Sequence, residues 1–428
     1  MTAIPNPART GASDAVRGLT VGEDAVRGQS AGGATGRAGW HRRAAALPLG
    51  YLAALVALAV LHPWLPAWRW LAIHLLLLGA VTNAILVWSA HFAAAILRVA
   101  APVRRRGEAV RLAVHNVGVV AVLIGGAADL PWLGVAGAGA VFAAMAAHLA
   151  WLSRRLRTAL PARFAVTVHY YQGAAAALLV GIPVGAWMLV VDDSSRPRLV
   201  LFHAHVNLLG GVTLTVLGTL LTFWPTVLRT RMADDATAAS RTALPVAATG
   251  LAVLGIGVLA WWPPLAVGGL ALVALAAALT VRPAWRAARG KPPASFAAWS
   301  IAAAGGWLFV AFAIDGANLL TARGAAAAAD RFGAVLTPLL VGFVAQVLLG
   351  SLAYLLPVAL GGGPAAVRDR TAALDRHFAQ RVAMANAALA TFLLPVGPYV
   401  RITTSLLLLA ALVQFLIPAA RVLLTARR

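Results

Sequence analysis

The stretch Phe202-His203-Ala204-His205-Val206-Asn207-Leu208-Leu209-Gly210-Gly211-Val212-Thr213 lies in the first turns of a long apolar segment. Imidazole side chains are costly inside lipid unless they bind something, so two of them one residue apart indicate a site. A second copy of the pattern runs from His74 to Thr82, with a Gly at the same distance from the His and the same Val-Thr ending. A third copy begins at Thr337 and keeps the Gly. Three copies in one chain predict an internal repeat.

The composition places the chain in a membrane. Hydrophobic residues make up 61% of it, charged residues only 11%, and the mean hydropathy is +0.83. Such values are typical of a polytopic membrane protein. The formal charge of +22 comes from arginines in short runs between apolar segments, which is a topology signal and argues against nucleic acid as a partner. There are no cysteines, so iron–sulfur clusters, thiolate haem ligation and cysteine-ligated copper are excluded.

The apolar segments predict an all-α protein with about twelve transmembrane helices. Residues 1–40 are rich in Gly, Ala, Ser and Arg and predict a disordered tail, followed by a membrane domain over 41–428. Each predicted span has roughly the 20 residues that a hydrocarbon core requires. The predicted spans are 45–62, 70–97, 109–127, 131–153, 163–191, 199–228, 242–261, 263–281, 295–321, 332–360, 378–396 and 402–424.

The loops predict the orientation. Arginine pairs and triplets such as Arg42-Arg43, Arg104-Arg105-Arg106, Arg154-Arg155 and Arg427-Arg428 fall on one side, and the loops of the other side are poor in them. By the positive-inside rule the arginine-rich side is cytoplasmic. The protein is therefore predicted to cross the plasma membrane many times, with both termini in the cytoplasm.

The three motif copies fall in the second, sixth and tenth predicted spans. That spacing predicts three units of four helices, all running in the same direction. A second landmark agrees, because Arg111 and Asn116 open the third span with the spacing that Arg381 and Asn386 show in the eleventh. The repeats are therefore predicted to be parallel, unlike the inverted repeats of many transporters.

The intramembrane histidines form two predicted layers. His74, His203 and His205 lie a few residues inside the outer boundary, whereas the inner histidines each lie about 9 Å of helical rise from a cytoplasmic arginine cluster. The inner layer consists of His91, His115, His148 and His169. His41 and His62 lie at or beyond the boundary and receive no predicted role.

The outer layer is the predicted cofactor site. His203 and His205 point about 200° apart on a helix, so they are not expected to chelate one ion together. His74 and one of His203 or His205 could supply the two axial ligands of a haem. A b-type haem is expected, because no cysteine is present for covalent attachment. The repeat favours His205 as the partner of His74.

The inner layer has two readings. His91, His115, His148 and His169 come from consecutive spans at one height and could hold a second haem or a copper ion. The alternative is a hydrogen-bonded polar belt. Other polar residues are expected to cross-link helices, and Asp315 with Asn318 marks a proton path, a cation site or a structural hydrogen bond. The cross-linking amides are Asn83, Asn116, Asn207, Gln346 and Asn386.

Twelve spans in three parallel units, with His near the start of the second and sixth, resemble subunit I of haem-copper oxidases and nitric oxide reductases and the NnrS-type membrane proteins. The motifs His74-Leu-Leu-Leu-Leu-Gly-Ala-Val-Thr-Asn and Gly361-Gly-Gly-Pro-Ala-Ala-Val-Arg are most similar to the membrane domain ahead of cupredoxin modules in some multicopper oxidase or nitrite-reductase-like proteins. The resemblance implies His74 as a haem ligand, and a cupredoxin-type or other redox partner at the outer face. The chain departs from the oxidases because its seventh and tenth spans hold no His.

Three functions remain open on the sequence. The first is a haem-binding, copper-associated membrane protein for electron transfer or nitric-oxide- or copper-linked redox chemistry, whether or not it is itself an enzyme. The second is a twelve-helix secondary transporter with a histidine proton relay. The third is a metal-free scaffold that anchors a partner enzyme.

Overall fold

The structure is a computed structural model that describes residues 12–99, 105–191 and 194–426, with the side chains of 12–35 and 37 left out. Arg104, Arg427 and Arg428, which enter the orientation argument, lie outside the described residues. The part described is helical, with no strand in it, so the all-α class is confirmed.

The helices follow one another with short connections. In chain order they are α1 (Ala12–Leu61), α2 (Trp68–Ile96), α3 (Arg106–Ala127), α4 (Pro131–Thr158), α5 (Ala165–Val190), α6 (Arg196–Leu228), α7 (Ala236–Leu259), α8 (Pro263–Gly290), α9 (Phe296–Thr321), α10 (Ala325–Leu360), α11 (Gly363–Asp375), α12 (Phe378–Phe392) and α13 (Pro398–Thr425). A single 3₁₀ turn, His62–Trp64, follows α1.

Eleven of these helices are long and apolar enough to cross a membrane in the part of the chain described. They correspond to eleven of the twelve predicted spans, so a multi-pass membrane protein is confirmed. The predicted eleventh span is α12, which has 15 residues and thus about 22 Å of rise, short of the ~30 Å hydrocarbon core. The first helix begins at Ala12, inside the predicted tail, and its membrane-length part is Ala38–Trp64. The division of the chain at residue 40 stays a prediction.

Each motif copy contains a π-helical segment at the same place. The π segments are Leu75–Val81, Val206–Thr213 and Pro338–Ala345, so each begins directly after the first residue of its motif. In a π segment the backbone hydrogen bonds join residues i and i+5, so each turn contains one extra residue. Some carbonyls then lack their α-helical partner. Thr82 and Thr213 hydrogen-bond two of these carbonyls, on Leu77 and Leu208, five positions back.

The motif glycine allows each of these helices to approach the preceding one closely. A Cβ added at Gly79 would overlap the Tyr51 ring on α1, and one at Gly342 would overlap the Trp307 indole on α9. At Gly210 it would meet the Cβ of Ala177 on α5 at 2.6 Å. The second helix of each predicted unit therefore packs on the first helix through the same residue.

A narrow apolar cavity lies where α2, α6 and α10 face one another. Apart from Ile301 of α9, its lining residues all stand 7, 10, 11, 14, 15 or 18 positions after His74, His205 or Thr337. Val81, Val212 and Val344 form the first such set of three. The three motif helices thus point the same face at a common axis, as the repeat predicts, and the full division into three units stays a prediction.

Two polar triads support the same correspondence. Asn116 of α3 is hydrogen-bonded to Asn83 of α2 and accepts from the Tyr51 hydroxyl of α1 at 2.9 Å. In the last predicted unit, Asn386 bonds Gln346 and accepts from the Trp307 indole at 2.6 Å. Asn83 and Gln346 both stand nine positions after the start of their motif. The predicted role of these four amides as cross-links between helices is confirmed.

Candidate functional site

His74 lies at the last α-helical residue before the first π segment. Its Nδ1 lies 2.8 Å from the carbonyl oxygen of Trp70. Because a carbonyl only accepts, Nδ1 carries the proton and donates. The Trp70 indole covers the imidazole, with ring centroids 4.1 Å apart. The second ring nitrogen, Nε2, makes no hydrogen bond to the described residues, so its lone pair remains available.

His203 is held in a similar way from a different direction. Its Nδ1 lies 2.9 Å from the carbonyl oxygen of Gly181 on α5 and 3.2 Å from Asn207 Nδ2. Because a carbonyl only accepts, Nδ1 donates to Gly181, and Asn207 Nδ2 donates to the His203 carbonyl at 2.7 Å. The imidazole fills the space above Gly185, where an added Cβ would lie 2.6 Å from the ring Cε1. Asn207 therefore makes its hydrogen bond within α6. The predicted hydrogen bond to another helix is not formed, and the Asn207 side chain packs on Gly181 of α5 instead.

His74 of α2 and His203 of α6 lie at similar depth, six and seven residues after the start of their helices. Each imidazole donates from Nδ1 to a backbone carbonyl, which fixes the tautomer and leaves Nε2 as an electron-pair donor. In proteins, a histidine that binds a metal through one ring nitrogen usually donates a hydrogen bond from the other nitrogen. The two side chains therefore have the donor chemistry of a pair of axial haem ligands.

His205 is fully committed to other partners. Its Nδ1 donates to the Leu201 carbonyl at 2.7 Å, and its Nε2 lies 2.8 Å from the Asp315 carboxylate of α9. Both side chains of this pair are almost fully buried, at 3% and 4% exposure. The Phe332 ring of α10 packs on the imidazole at 5.2 Å. No ring nitrogen of His205 remains for a metal.

The preference for His205 as the partner of His74 is therefore not supported by the geometry. His74 and His205 do share a conformation, since each donates from Nδ1 to the carbonyl four residues back. Their surroundings differ at one position on the neighbouring unit. Ala177 and Trp307 occupy equivalent positions, because each packs on the motif glycine of the following helix. Eight residues further on, α5 has Gly185, which leaves room for the His203 ring, whereas α9 has Asp315. The expectation that His203 and His205 face different neighbours is confirmed.

Two buried polar atoms lie beside the His205–Asp315 pair. Asp315 Oδ1 and Asn318 Oδ1 have no hydrogen-bond partner among the described residues. Asn318 Nδ2 donates to the Ala328 carbonyl at 3.0 Å and so ties α9 to the start of α10. The predicted structural role of Asn318 is thus confirmed, and the second carboxylate oxygen of Asp315 remains open.

The four inner histidines are not brought together. His115 Nε2 donates to the Leu78 carbonyl of the π segment at 3.2 Å, and His148 Nε2 bonds the Ser89 hydroxyl at 2.8 Å. His169 is exposed and bonds Ala165 of its own helix. His91 lies against aromatic rings instead. Where the chain is described, no group of three or more His, Cys, Asp or Glu side chains is placed to hold a metal ion.

His41 is the residue that the sequence reasoning missed. It is buried, stacks on Trp88 with centroids 5.5 Å apart, and meets His91 edge to face at 5.0 Å. Its position next to Arg42-Arg43 suggested the boundary of the membrane, yet α2 and its Trp88 extend far enough to cover it. A histidine just ahead of the first apolar run, facing a Trp–x–x–His pattern on the next span, is the signal that could have identified it.

Neither a protein-family model nor a curated protein sequence matches this chain.

Proposed function

We propose that this membrane protein binds a b-type haem between His74 and His203 and serves electron transfer or nitric-oxide- or copper-linked redox chemistry, as an oxidoreductase-like relative of the haem-copper oxidases. The observation that carries the proposal is that the two imidazoles have the same hydrogen-bonding pattern. Both donate from Nδ1 to a carbonyl, both keep Nε2 without a partner among the described residues, and both lie six or seven residues after the start of their helices.

The chain supplies burial and orientation around the proposed centre. Trp70 covers the His74 ring, and Gly185 gives the His203 ring its space. The carbonyls of Trp70 and Gly181 hold both rings in one tautomer. A haem bound here would supply the one-electron chemistry, while these residues would fix its axial bonds and tune its potential through the hydrogen bonds at Nδ1.

The level of the site supports a redox partner on the side opposite the arginine clusters. His74 lies six residues after the start of α2, and His203 lies seven after the start of α6, both on the side opposite the arginine pairs and triplets. We propose the plasma membrane as the location, with both termini in the cytoplasm and a cupredoxin-type protein docking from outside. A copper ion would belong to that partner, since the inner histidines His91, His115, His148 and His169 have separate surroundings.

The test is spectroscopic. Full-length protein purified in detergent from haem-replete cells should give a reduced-minus-oxidised spectrum of b-type haem, with about one haem per chain by extraction. A colourless preparation with a normal elution profile contradicts the proposal.

A secondary transporter with a histidine proton relay is the second candidate, and the buried His205–Asp315 pair favours it. A carboxylate with a free oxygen inside a membrane is a common proton or cation carrier. On this reading Asp315→Asn abolishes proton-coupled uptake in vesicles while the protein binds no haem. On the haem proposal Asp315→Asn keeps the spectrum.

A further inference from the structure

A cavity of about 760 Å³ opens between α11, α12 and α13 at the arginine-rich end of the bundle. The turn into α11 is made by Gly361, Gly362 and Gly363, whose φ angles are all positive, so the helix leaves α10 abruptly. Leu374 is the buried residue of α11. This helix therefore lies at the membrane interface as the outer wall of the cavity, and it is independent of the histidine site.

The wall of the cavity carries an excess of positive charge. Arg370, Arg376, Arg381 and Arg421 line it, with Asp369 as the acidic residue in the lining. The ion pairs found in the described residues involve none of these arginines. Arg376 and Arg421 are exposed, and their guanidinium groups donate no hydrogen bond to a described residue, so both groups are available to an anion.

Arg381 is the fixed part of the wall. It is 8% exposed, donates from Nη1 to the Leu374 carbonyl at 2.9 Å, and stacks over the Phe296 ring at 4.3 Å. Its Nε and Nη2 are buried without a hydrogen-bond partner among the described residues. Asp375 lies nearby. Burial raises the pKa of this carboxyl, and a hydrogen bond from the Phe296 backbone and the Arg381 charge oppose that rise.

The cavity changes with depth from a cationic end to an uncharged end, which is lined by Met384, Gln414, Ile417 and Pro418. Along α13 the chain runs toward the arginine-rich side, so Ile417 and Pro418 lie deeper in the membrane than Arg421. Along α12 the chain runs inward, so Met384 lies deeper than Arg381. Ile417 is 47% exposed. The cationic end thus faces the interface and the uncharged end faces the hydrocarbon.

We propose that this cavity, the α11–α13 pocket, binds an anionic phospholipid, with its phosphodiester at Arg376 and Arg421 and an acyl chain along Ile417 and Met384. Basic pockets between helices at the cytoplasmic interface suit anionic head groups. A free phosphate would satisfy the guanidinium groups equally well but would leave the uncharged end empty. The graded lining therefore favours the lipid as the source of the phosphate.

The experiment measures the thermal midpoint of the full-length protein in neutral detergent as lipid is added. Phosphatidylglycerol should raise the midpoint in a saturable way, and phosphatidylcholine and inorganic phosphate should not. Arg376→Gln and Arg421→Gln should each weaken the apparent affinity for phosphatidylglycerol about five-fold, and the double variant about 25-fold. Arg368→Gln is the matched control, because Arg368 is exposed on α11 but lies outside the lining.

Three outcomes would overturn the proposal. They are an equal shift with phosphatidylcholine, an equal shift with inorganic phosphate, and an unchanged affinity in the double variant. Native mass spectrometry is the second readout, in which phosphatidylglycerol should remain bound to the parent and to Arg368→Gln and be lost from the double variant.

Discussion

Two histidines one residue apart reach different environments because α6 turns about 100° per residue. The sequence predicted that divergence, and it predicted His74 as one member of a pair. It favoured His205 as the proposed partner of His74, whereas packing against the neighbouring helices favours His203. Gly185 leaves space for the His203 ring, and Asp315 binds His205. A single-sequence pattern contains no information about that packing.

The His205–Asp315 pair should be strongly coupled. Removing one partner leaves a buried polar group alone, so His205→Ala or Asp315→Ala should each destabilise the protein by about 3 kcal/mol. The double variant should lose much less than the sum of the two, because the orphaned group is then absent. Thermal unfolding in detergent provides the double-mutant cycle. Additive losses would mean that the 2.8 Å contact contributes nothing.

The motif helices combine a π segment with a glycine contact, and the sequence shows only the glycine. Spacing identified Gly79, Gly210 and Gly342 as equivalent, whereas the π geometry depends on where carbonyls find other donors, such as Thr82 and Thr213. His115 donates to one carbonyl of the first π segment, on Leu78. The extra residue is thus stabilised by side chains of the same helix and, in the first copy, by His115 of α3.

Alanine at the motif glycines should weaken helix packing. Gly79→Ala and Gly342→Ala place a Cβ inside the Tyr51 and Trp307 rings, so each should cost about 1–3 kcal/mol through overpacking. Gly305→Ala on α9 is the control, since a Cβ there meets no atom within 4 Å. That change should be neutral or stabilising because alanine favours a helix. Thermal unfolding in detergent compares the three, and equal effects would contradict the contact.

The triad of Tyr51, Asn83 and Asn116 should behave as a unit. Asn116→Val leaves the other two side chains without their partner and should cost about 1–3 kcal/mol. The middle unit has Leu214 and Val246 at the corresponding positions. Adding Tyr51→Phe and Asn83→Leu to Asn116→Val should therefore recover most of the loss in a thermal unfolding experiment. A triple variant less stable than the single one would show that the polar atoms are needed independently.

At the scale of the whole molecule, hydropathy predicted twelve spans, of which eleven are helices of membrane length in the described residues, with boundaries that differ by at most nine residues from the predicted ones. It extended the eleventh predicted span over α12 to residue 396, although the helix ends at Phe392, where Pro395 and Pro398 prevent a longer one. It also treated residues 363–375 as a loop, because a short interfacial helix has no hydropathy signal of its own. The helices α2, α6 and α10 line one apolar cavity, and the division into three repeated units stays a prediction.

Orientation is open to a direct test, because the chain has no cysteine of its own. Ala128→Cys, in the loop between α3 and α4, should react with a membrane-impermeant maleimide in intact cells. Leu160→Cys lies on the arginine-rich side and is 85% exposed, so it should react only after lysis. The reverse pattern would place the termini outside.

The central claim is that His74 and His203 together hold one haem. The measurement that tests it most directly is the reduced-minus-oxidised spectrum of purified His74→Ala, His203→Ala and His205→Ala, with His62→Ala as the exposed control. The account predicts that the first two variants lose the same spectral component, while His205→Ala and His62→Ala keep it. Loss of the component in His205→Ala with retention in His203→Ala would contradict the assignment, and absence of haem from the parent would contradict the account as a whole.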